Sequence, residues 1–138
     1  MRRLASFLLA SLFLVVSAGA GAAGPKAYVG NFSDNTVSVV DLAAGAVVAT
    51  IPVSAGPHGM SVAPDGRTVY ITGDGSSNLD AIDTAANRVR RTIEIGKSPH
   101  GLAMMPDGKT LLAAIYGEDK IELWSKVLDL AGVLEIKK

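Results

Sequence analysis

Short runs of alternating apolar and polar residues follow one another along the chain, and clusters of turn residues separate them. This two-residue alternation is typical of strands, and no stretch between the turns has the length and periodicity of an ordinary helix. The sequence therefore predicts an all-β fold. In its central part the predicted strands are Gly59–Ala63, Thr68–Thr72, Leu79–Asp83 and Arg88–Ile95.

The turn after the first of these strands has a clear signature. Pro64-Asp65-Gly66 is predicted to close a hairpin, because proline presets φ and glycine accepts a positive φ. The same turn returns as Pro106-Asp107-Gly108. We therefore assign structural turn roles to Asp65, Gly66, Asp107 and Gly108.

The whole pattern repeats at an interval of 42 residues. Lys26–Arg67 aligns with Thr68–Lys109 without a gap, and 13 of the 42 positions are identical. Most other pairs exchange one apolar residue for another, so burial and turns are what is repeated. A unit of this size built from short strands is one blade of a β-propeller, a sheet of four antiparallel strands that cannot bury its faces alone.

The repeat divides the chain into blades of unequal completeness. Residues 26–56 are predicted to form part of a blade, residues 57–98 a full blade, and residues 99–138 a blade with a divergent end. The register fails after Leu123, although Val127–Gly132 resembles Val39–Ala44 if four residues are inserted. Because a closed ring takes about four to eight blades, we expect an incomplete ring. Such an array either self-associates as a homo-oligomer that completes the ring or is part of a larger gene product.

Residues 1–23 have the features of a secretory signal peptide. Arg2 and Arg3 precede an apolar run from Leu4 to Val16, and small residues follow. The run is shorter than the about 20 residues that cross a bilayer, so an uncleaved anchor is the less favoured alternative. We expect residues 24–138 to be the exported partial propeller, periplasmic or at the cell surface, without a membrane span after signal cleavage.

Charge and cysteine content narrow the function further. Lysine and arginine together number 13, as do aspartate and glutamate, and two of the basic residues lie in the predicted signal peptide. The mature chain is then slightly acidic, so nucleic-acid binding is not favoured. The absence of cysteine excludes disulfides, thiolate metal sites and covalent haem attachment through a Cys-x-x-Cys-His motif.

Several motifs of the repeat resemble those of one family. They are Tyr28-Val29-Gly30-Asn31, Asn35–Asp41, Val47–Val53, Pro57-His58-Gly59 and Pro64-Asp65-Gly66. Together they resemble the YVTN-family β-propeller repeat, over Lys26 to about Leu123. The third copy departs from the family pattern, since Leu112–Ile115 replaces the Tyr-Val-Thr-Asn stretch.

His58 and His100 are the only histidines, and they lie 42 residues apart in identical Pro-His-Gly settings. In a propeller both would lie near the mouth of the central channel, on neighbouring blades. One interpretation is a ligand-binding site whose imidazoles bind a metal or contact a haem or quinone. The other is a hydrogen bond from each ring within its own blade. Because a metal needs three or four convergent ligands, we assign both residues as candidate ligand-binding groups and assign no metal site.

Aspartates in the loops have simpler interpretations. Asp74, Ser76, Asn78 and Asp80 alternate like the first ligands of a calcium loop, but the glycine and glutamate that such a loop requires are missing. Asp41 and Asp83 are predicted to accept hydrogen bonds from backbone amides two residues further on.

The sequence contains no recognisable catalytic motif, so no catalytic residue and no cofactor are assigned. The family resemblance implies a non-enzymatic binding or interaction module of the periplasm or cell surface, with an unknown protein or small-molecule ligand. The alternative that it implies is a redox accessory protein, related to the propellers associated with quinone-dependent dehydrogenases or to the haem-bearing propellers of nitrite reductases.

Overall fold

The computed structural model describes residues 24–125 and 133–136. Within this part of the chain, eleven strands and two short 3₁₀ turns account for the regular structure. The 3₁₀ turns are Phe32–Asp34 and Tyr116–Glu118. The strands are β1 (Lys26–Asn31), β2 (Thr36–Asp41), β3 (Ala46–Pro52), β4 (Pro57–Val62), β5 (Thr68–Gly73), β6 (Asn78–Asp83), β7 (Arg88–Glu94), β8 (Pro99–Met104), β9 (Thr110–Ile115), β10 (Lys120–Ser125) and β11 (Val133–Ile136).

The strands form three antiparallel sheets in chain order. The first sheet is β1-β2-β3, the second is β4-β5-β6-β7, and the third is β8-β9-β10-β11. Each strand pairs with its neighbour in the sequence, as short turns between antiparallel strands require. The predicted all-β fold is confirmed, and the structure is a partial propeller.

The sheets pack face to face around two hydrophobic cores. Between the first and second sheets the buried residues are Val37, Val39, Ile51, Val69, Ile71 and Ile82. Between the second and third sheets they are Tyr70, Leu79, Ala81, Ile93, Ile95, Leu111, Ala113 and Ile115. Successive side chains of β5 point to opposite faces, and both faces are covered, so every residue of β5 is buried.

The inner strands of the second and third sheets converge. The Thr72 hydroxyl accepts a hydrogen bond from the Gly59 amide at 2.8 Å and donates one to the His100 carbonyl oxygen at 2.8 Å. Ser61 Oγ accepts a third bond from the Met104 amide at 3.1 Å. These bonds join β4 and β8, which places the two inner strands side by side at the axis of the array.

The outer face of the first sheet has no covering sheet in the described part of the chain. Val29 is 49% exposed there, whereas its repeat counterpart Ile71 is 1% exposed. β1 is also the edge strand at the position where β5 is paired with β4. Self-association through such faces stays a prediction, and light scattering of the purified protein tests it. A stable folded monomer would contradict it.

The hairpin turns have the expected local geometry. Asp65 Oδ1 accepts a hydrogen bond from the Arg67 amide at 2.9 Å, and Asp107 Oδ1 accepts one from the Lys109 amide at 2.8 Å. Gly66 and Gly108 have φ of +70° and +64°, a region that glycine enters without steric penalty.

Some predicted features lie outside the described residues. These are the signal peptide at residues 1–23 and the segment Val127–Gly132. Among the residues that are described, no helix has the length and apolar character needed to cross a membrane.

The backbone hydrogen bonds that Asp83 and Asp107 accept predict that the protein loses stability at acidic pH. Hydrogen bonds from the Ala86 and Ala85 amides lower the pKa of Asp83, and the bond from the Lys109 amide is the main cause that lowers the pKa of Asp107. A carboxyl whose pKa is depressed by folding stabilises the protein above its unfolded pKa, and this contribution is lost as pH falls through the folded pKa. We expect the melting temperature of the unchanged protein to decrease below about pH 4, and we expect a smaller decrease for Asp83→Asn. Melting curves between acidic and neutral pH measure this, and an unchanged pH profile would contradict it.

Candidate functional site at the mouth of the array

An irregularity in each inner strand positions the two histidines. In the second sheet Pro57 pairs with Gly73 and Met60 pairs with Ile71, so His58 and Gly59 both lie opposite Thr72. The third sheet has the same shift between Pro99 and Leu102. Bulges of this kind redirect a side chain away from the regular pleat, and here both imidazoles are exposed at one end of the array.

The two imidazoles stack on each other. Their ring centroids are 3.7 Å apart and the ring planes differ by 27°. The structure thus brings together the two ligand-binding candidates that the sequence singled out, from neighbouring sheets. Within the described residues neither ring hydrogen-bonds to its own sheet, so the hydrogen bond within a blade that the sequence analysis considered is not formed.

An aromatic ring flanks the stack on each side. The Phe32 ring lies 6.4 Å from the His58 ring in an edge-to-face arrangement, and the Tyr116 ring lies 6.1 Å from the His100 ring. We call these four side chains the mouth row: Phe32, His58, His100 and Tyr116.

Sequence reasoning missed both ends of the mouth row. Phe32 and Tyr116 begin the two 3₁₀ turns, and Asp74 occupies the equivalent position of the second copy. Positions 32, 74 and 116 are therefore equivalent in the 42-residue repeat, and this equivalence is visible in the sequence. Because the three residues differ in type, the repeat alone does not mark this position as an aromatic one.

Asp74 adds a charge beside the row. Its Oδ1 lies 3.6 Å from His100 Nδ1, with exposed side-chain fractions of 27% and 47%. At this distance the pair interacts as an ion pair when the imidazole is protonated. Such a half-exposed pair contributes about 0–1 kcal/mol, so its main effect is to orient the His100 ring.

The stacked geometry does not suit a shared metal ion. Lone pairs of imidazole nitrogens lie in the ring plane, and two nearly parallel rings direct them along nearly parallel lines instead of towards one point. Among the described residues, no three histidine, aspartate or glutamate side chains are placed to hold a metal ion. The geometry favours contact with a ligand through ring edges and aromatic faces.

The four residues that alternate like a calcium loop serve different contacts. Asp80 is 1% exposed and accepts hydrogen bonds from the Ser54 amide at 2.6 Å and the Thr92 hydroxyl at 2.5 Å. Ser76 Oγ instead donates to the Gly73 carbonyl oxygen at 2.8 Å. Asp80 therefore joins the first and second sheets, whereas Asp74 belongs to the mouth.

A second concave region lies at the opposite end, between the first and second sheets. It is an open cavity of about 630 Å³, and Pro25, Lys26, Tyr28 and Val62 are among its lining residues. The corresponding place between the second and third sheets is filled, because Pro64 packs against Gly108. Gly66, the counterpart of Gly108, has no neighbour within 4 Å of an added Cβ. The cavity thus lies where the first sheet has no inner hairpin in the described residues.

Two equivalent tyrosines show the consequence of this gap. The phenol oxygen of Tyr28 is buried and has no hydrogen-bond partner, and burial raises the pKa of Tyr28. Burial also raises the pKa of Tyr70, while a hydrogen bond with Thr68 partly opposes that effect. At the Thr68 position the first copy has Lys26, whose ammonium group donates to the Thr84 carbonyl oxygen at 3.1 Å. Both tyrosines pack between sheets, as their recurrence in the sequence predicts.

Comparison with known proteins agrees with this architecture. Hydrazine synthase of Kuenenia stuttgartiensis is 27% identical with a TM-score of 0.70, and the match covers 75% of this chain and 30% of that chain. Dihydro-heme d1 dehydrogenase NirN is 24% identical with a TM-score of 0.70, covering 80% of this chain and 24% of that chain. A putative 6-phosphogluconolactonase of Bacteroides fragilis is 20% identical with a TM-score of 0.64, and the match covers 80% of this chain and 34% of that chain.

The last two likenesses support the fold alone, because their identity is low. The chain spans about a quarter to a third of the length of these solved proteins. No curated protein matches the sequence.

A family model gives the most direct assignment. The model of the YNCE-like β-propeller family matches residues 14–109, which is more than half of the chain. The 42-residue repeat and the three stacked sheets agree with this match. The chain belongs to the YNCE-like β-propeller family.

Proposed function

We propose that this protein is an exported, non-enzymatic binding module built from YVTN-type repeats, and that its ligand contacts the mouth row. Its place of action is the periplasm or the cell surface, after removal of residues 1–23. Its partner is a small molecule or a protein that is bound without chemical conversion.

One observation supports this proposal above the others. Phe32, His58, His100 and Tyr116 form a continuous row of rings across three sheets. Each of the four is exposed, although aromatic side chains are normally placed where they bury area. Exposed aromatic residues that touch one another at one end of a rigid scaffold are typical of binding surfaces.

The scaffold has the properties that a binding site needs. The two histidines lie on inner strands that Thr72 and Ser61 join by hydrogen bonds. Phe32 and Tyr116 begin short 3₁₀ turns that directly follow β1 and β9, so the position of the row depends on sheet structure and not on long loops. Sites built on rigid elements hold their contact groups more precisely.

A fragment screen tests the proposal. Fragments that raise the melting temperature of the purified protein are expected to shift the ring NMR signals of His58 and His100. The double variant His58→Ala/His100→Ala should weaken these fragments at least about fivefold, since it removes central contacts of the site.

The matched control is a double change at the opposite end. Asp65→Asn/Asp107→Asn alters two exposed turn residues that lie away from the mouth, so it should leave fragment affinity unchanged. If the control variant and the histidine variant weakened the same fragments equally, or if hits shifted only signals at the opposite end, the mouth would not be the binding site.

The second candidate function is that of a redox accessory protein. What favours it is the 27% identity with hydrazine synthase over 75% of this chain, together with the exposed imidazole edges. Haemin added to the purified protein would then give a visible absorption spectrum with a shifted Soret band, lost in His58→Ala/His100→Ala. An unshifted spectrum would leave the plain binding module as the better proposal.

Export is tested separately. Expressed with its own leader, the protein should be found in the periplasm or outside the cell, with an N-terminus near residue 24. A cytoplasmic product that retains residues 1–23 would contradict the proposed location.

A further inference from the structure

The two ends of the mouth row are open to a ligand to different degrees. Tyr116 is 76% exposed and Phe32 is 51% exposed. In the preceding copies the equivalent residues each meet a histidine of the next sheet: Phe32 meets His58, and Asp74 meets His100. The Tyr116 ring instead lies 6.1 Å from the ring of His100, the histidine of its own sheet. Tyr116 is therefore the more accessible of the two aromatic rings at the ends of the row.

Charge at the mouth has one dominant sign. The described loops at this end, taken with the strand ends that adjoin them, hold five acidic residues and two lysines. Two of the carboxylates have fixed positions, since Asp74 lies beside His100 and Glu118 accepts a hydrogen bond from the Lys97 amide at 2.7 Å. The acidic residues are Asp34, Asp74, Glu94, Glu118 and Asp119, and the lysines are Lys97 and Lys120.

The opposite end of the array lacks this imbalance. Its described turns, taken with the strand ends that adjoin them, hold four aspartates and four basic residues. They are Asp41, Asp65, Asp83 and Asp107, with Lys26, Arg67, Arg88 and Lys109. The acidic character is thus a property of the mouth and not of the whole surface, so it selects ligands at this place.

We propose that the mouth row binds an organic cation, an ammonium or guanidinium head group that lies over the Tyr116 ring. This inference rests on the proposed function and adds the chemical class of the ligand. An exposed aromatic face attracts a cation through its quadrupole, and the surrounding carboxylates favour the same sign of charge. The head group belongs either to a free small molecule or to an arginine or lysine side chain of a peptide.

The same arrangement disfavours anionic ligands. A polycarboxylate that approaches the mouth meets Asp74, Glu118 and Asp119, and like charges at short distance repel. The mouth row is therefore expected to favour organic cations over planar anionic cofactors. The ring system of such cofactors would otherwise suit the same aromatic surface.

Calorimetric titration of the purified protein with choline tests the inference. The titration is run at low salt, where charge attraction is least screened. Dimethylbutanol, the uncharged isostere of choline, is titrated in parallel. We expect choline to bind at least about fivefold more tightly than the alcohol, which is the effect of one cation–π contact. N-acetylarginine amide, as a third probe, distinguishes a peptide side chain from a free ammonium compound.

Variants localise the effect. Tyr116→Leu keeps an apolar side chain but removes the aromatic face, and it should weaken choline binding about fivefold. Asp74→Asn should weaken it at low salt and have less effect at high salt. Asp65→Asn, an identical change at the opposite end, should have no effect. Tyr116 is so exposed that its replacement is not expected to impair folding.

The outcomes separate this inference from the proposed function. Equal affinity for choline and dimethylbutanol would overturn the proposal that the ligand is an organic cation. The absence of a binding heat with both choline and N-acetylarginine amide would overturn it as well. If the fragment screen nevertheless yielded neutral or anionic hits that shift the histidine signals, the binding module would stand without this ligand class. If the screen also failed at the mouth, both proposals would be wrong.

Discussion

Replacing Gly59 with alanine is expected to lower the free energy of unfolding by about 3 kcal/mol, the upper part of the range for inserting a methyl group into a tightly packed place. A Cβ at this position would overlap the His100 carbonyl oxygen and would lie 2.9 Å from the Leu102 amide nitrogen. Both are backbone atoms of β8, so neither can move without shifting the third sheet. Urea unfolding followed by circular dichroism measures the change.

The chain offers a matched control for this variant. Gly101 has the same Pro-His-Gly setting, but a Cβ there would meet only the Ala114 Cβ, at 3.6 Å. We expect Gly101→Ala to change stability by less than about 0.5 kcal/mol. Equal destabilisation by the two variants would show that the glycines serve a common local conformation, and the close approach of β4 and β8 would then be in doubt.

Removing the Asp80 carboxylate is expected to have an effect of similar size. Asp80→Ala leaves the Ser54 amide and the Thr92 hydroxyl without their buried acceptor. Hydrogen bonds to a charged group contribute about 1.5–3 kcal/mol each, and the carboxylate borders a cavity of about 320 Å³ that lets water replace part of the loss. We therefore expect a loss of about 3 kcal/mol in the free energy of unfolding.

Two further variants control this measurement. Asp80→Asn retains a carbonyl oxygen as acceptor and should lose less stability than the alanine variant. Ser38→Ala changes the repeat counterpart of Asp80, which lies on the uncovered face and accepts a hydrogen bond from Asn31 at 2.9 Å. Its loss should stay below about 1 kcal/mol. A larger loss at Ser38 than at Asp80 would contradict the stacking order of the sheets.

The sequence was sufficient for the strands, because alternation and turn residues are local signals. Thr68–Thr72 was predicted and Thr68–Gly73 is observed, and Leu79–Asp83 corresponds to Asn78–Asp83. The repeat also placed both histidines on neighbouring sheets. These inferences need only the two-residue period of a strand and the 42-residue period of the array.

Contacts between sheets could not be predicted in the same way. Asp80 and Ser38 occupy equivalent positions, yet only Asp80 is buried, because only its face is covered by another sheet. Gly59 and Gly101 are likewise equivalent in sequence and differ in the space around them. The stacking of His58 on His100 depends on the bulge in each inner strand, and no residue pattern specifies the ring separation that results.

Neighbouring sheets converge radially, so that equivalent side chains of successive repeats meet at one end. With only two histidines in the chain, selective isotope labelling gives an unambiguous spectrum. A nuclear Overhauser measurement between the His58 and His100 rings is the most direct test. We expect strong cross-peaks between the ring protons of the two histidines, as a centroid separation of 3.7 Å requires. Well-resolved histidine signals without any cross-peak between the two rings would contradict it.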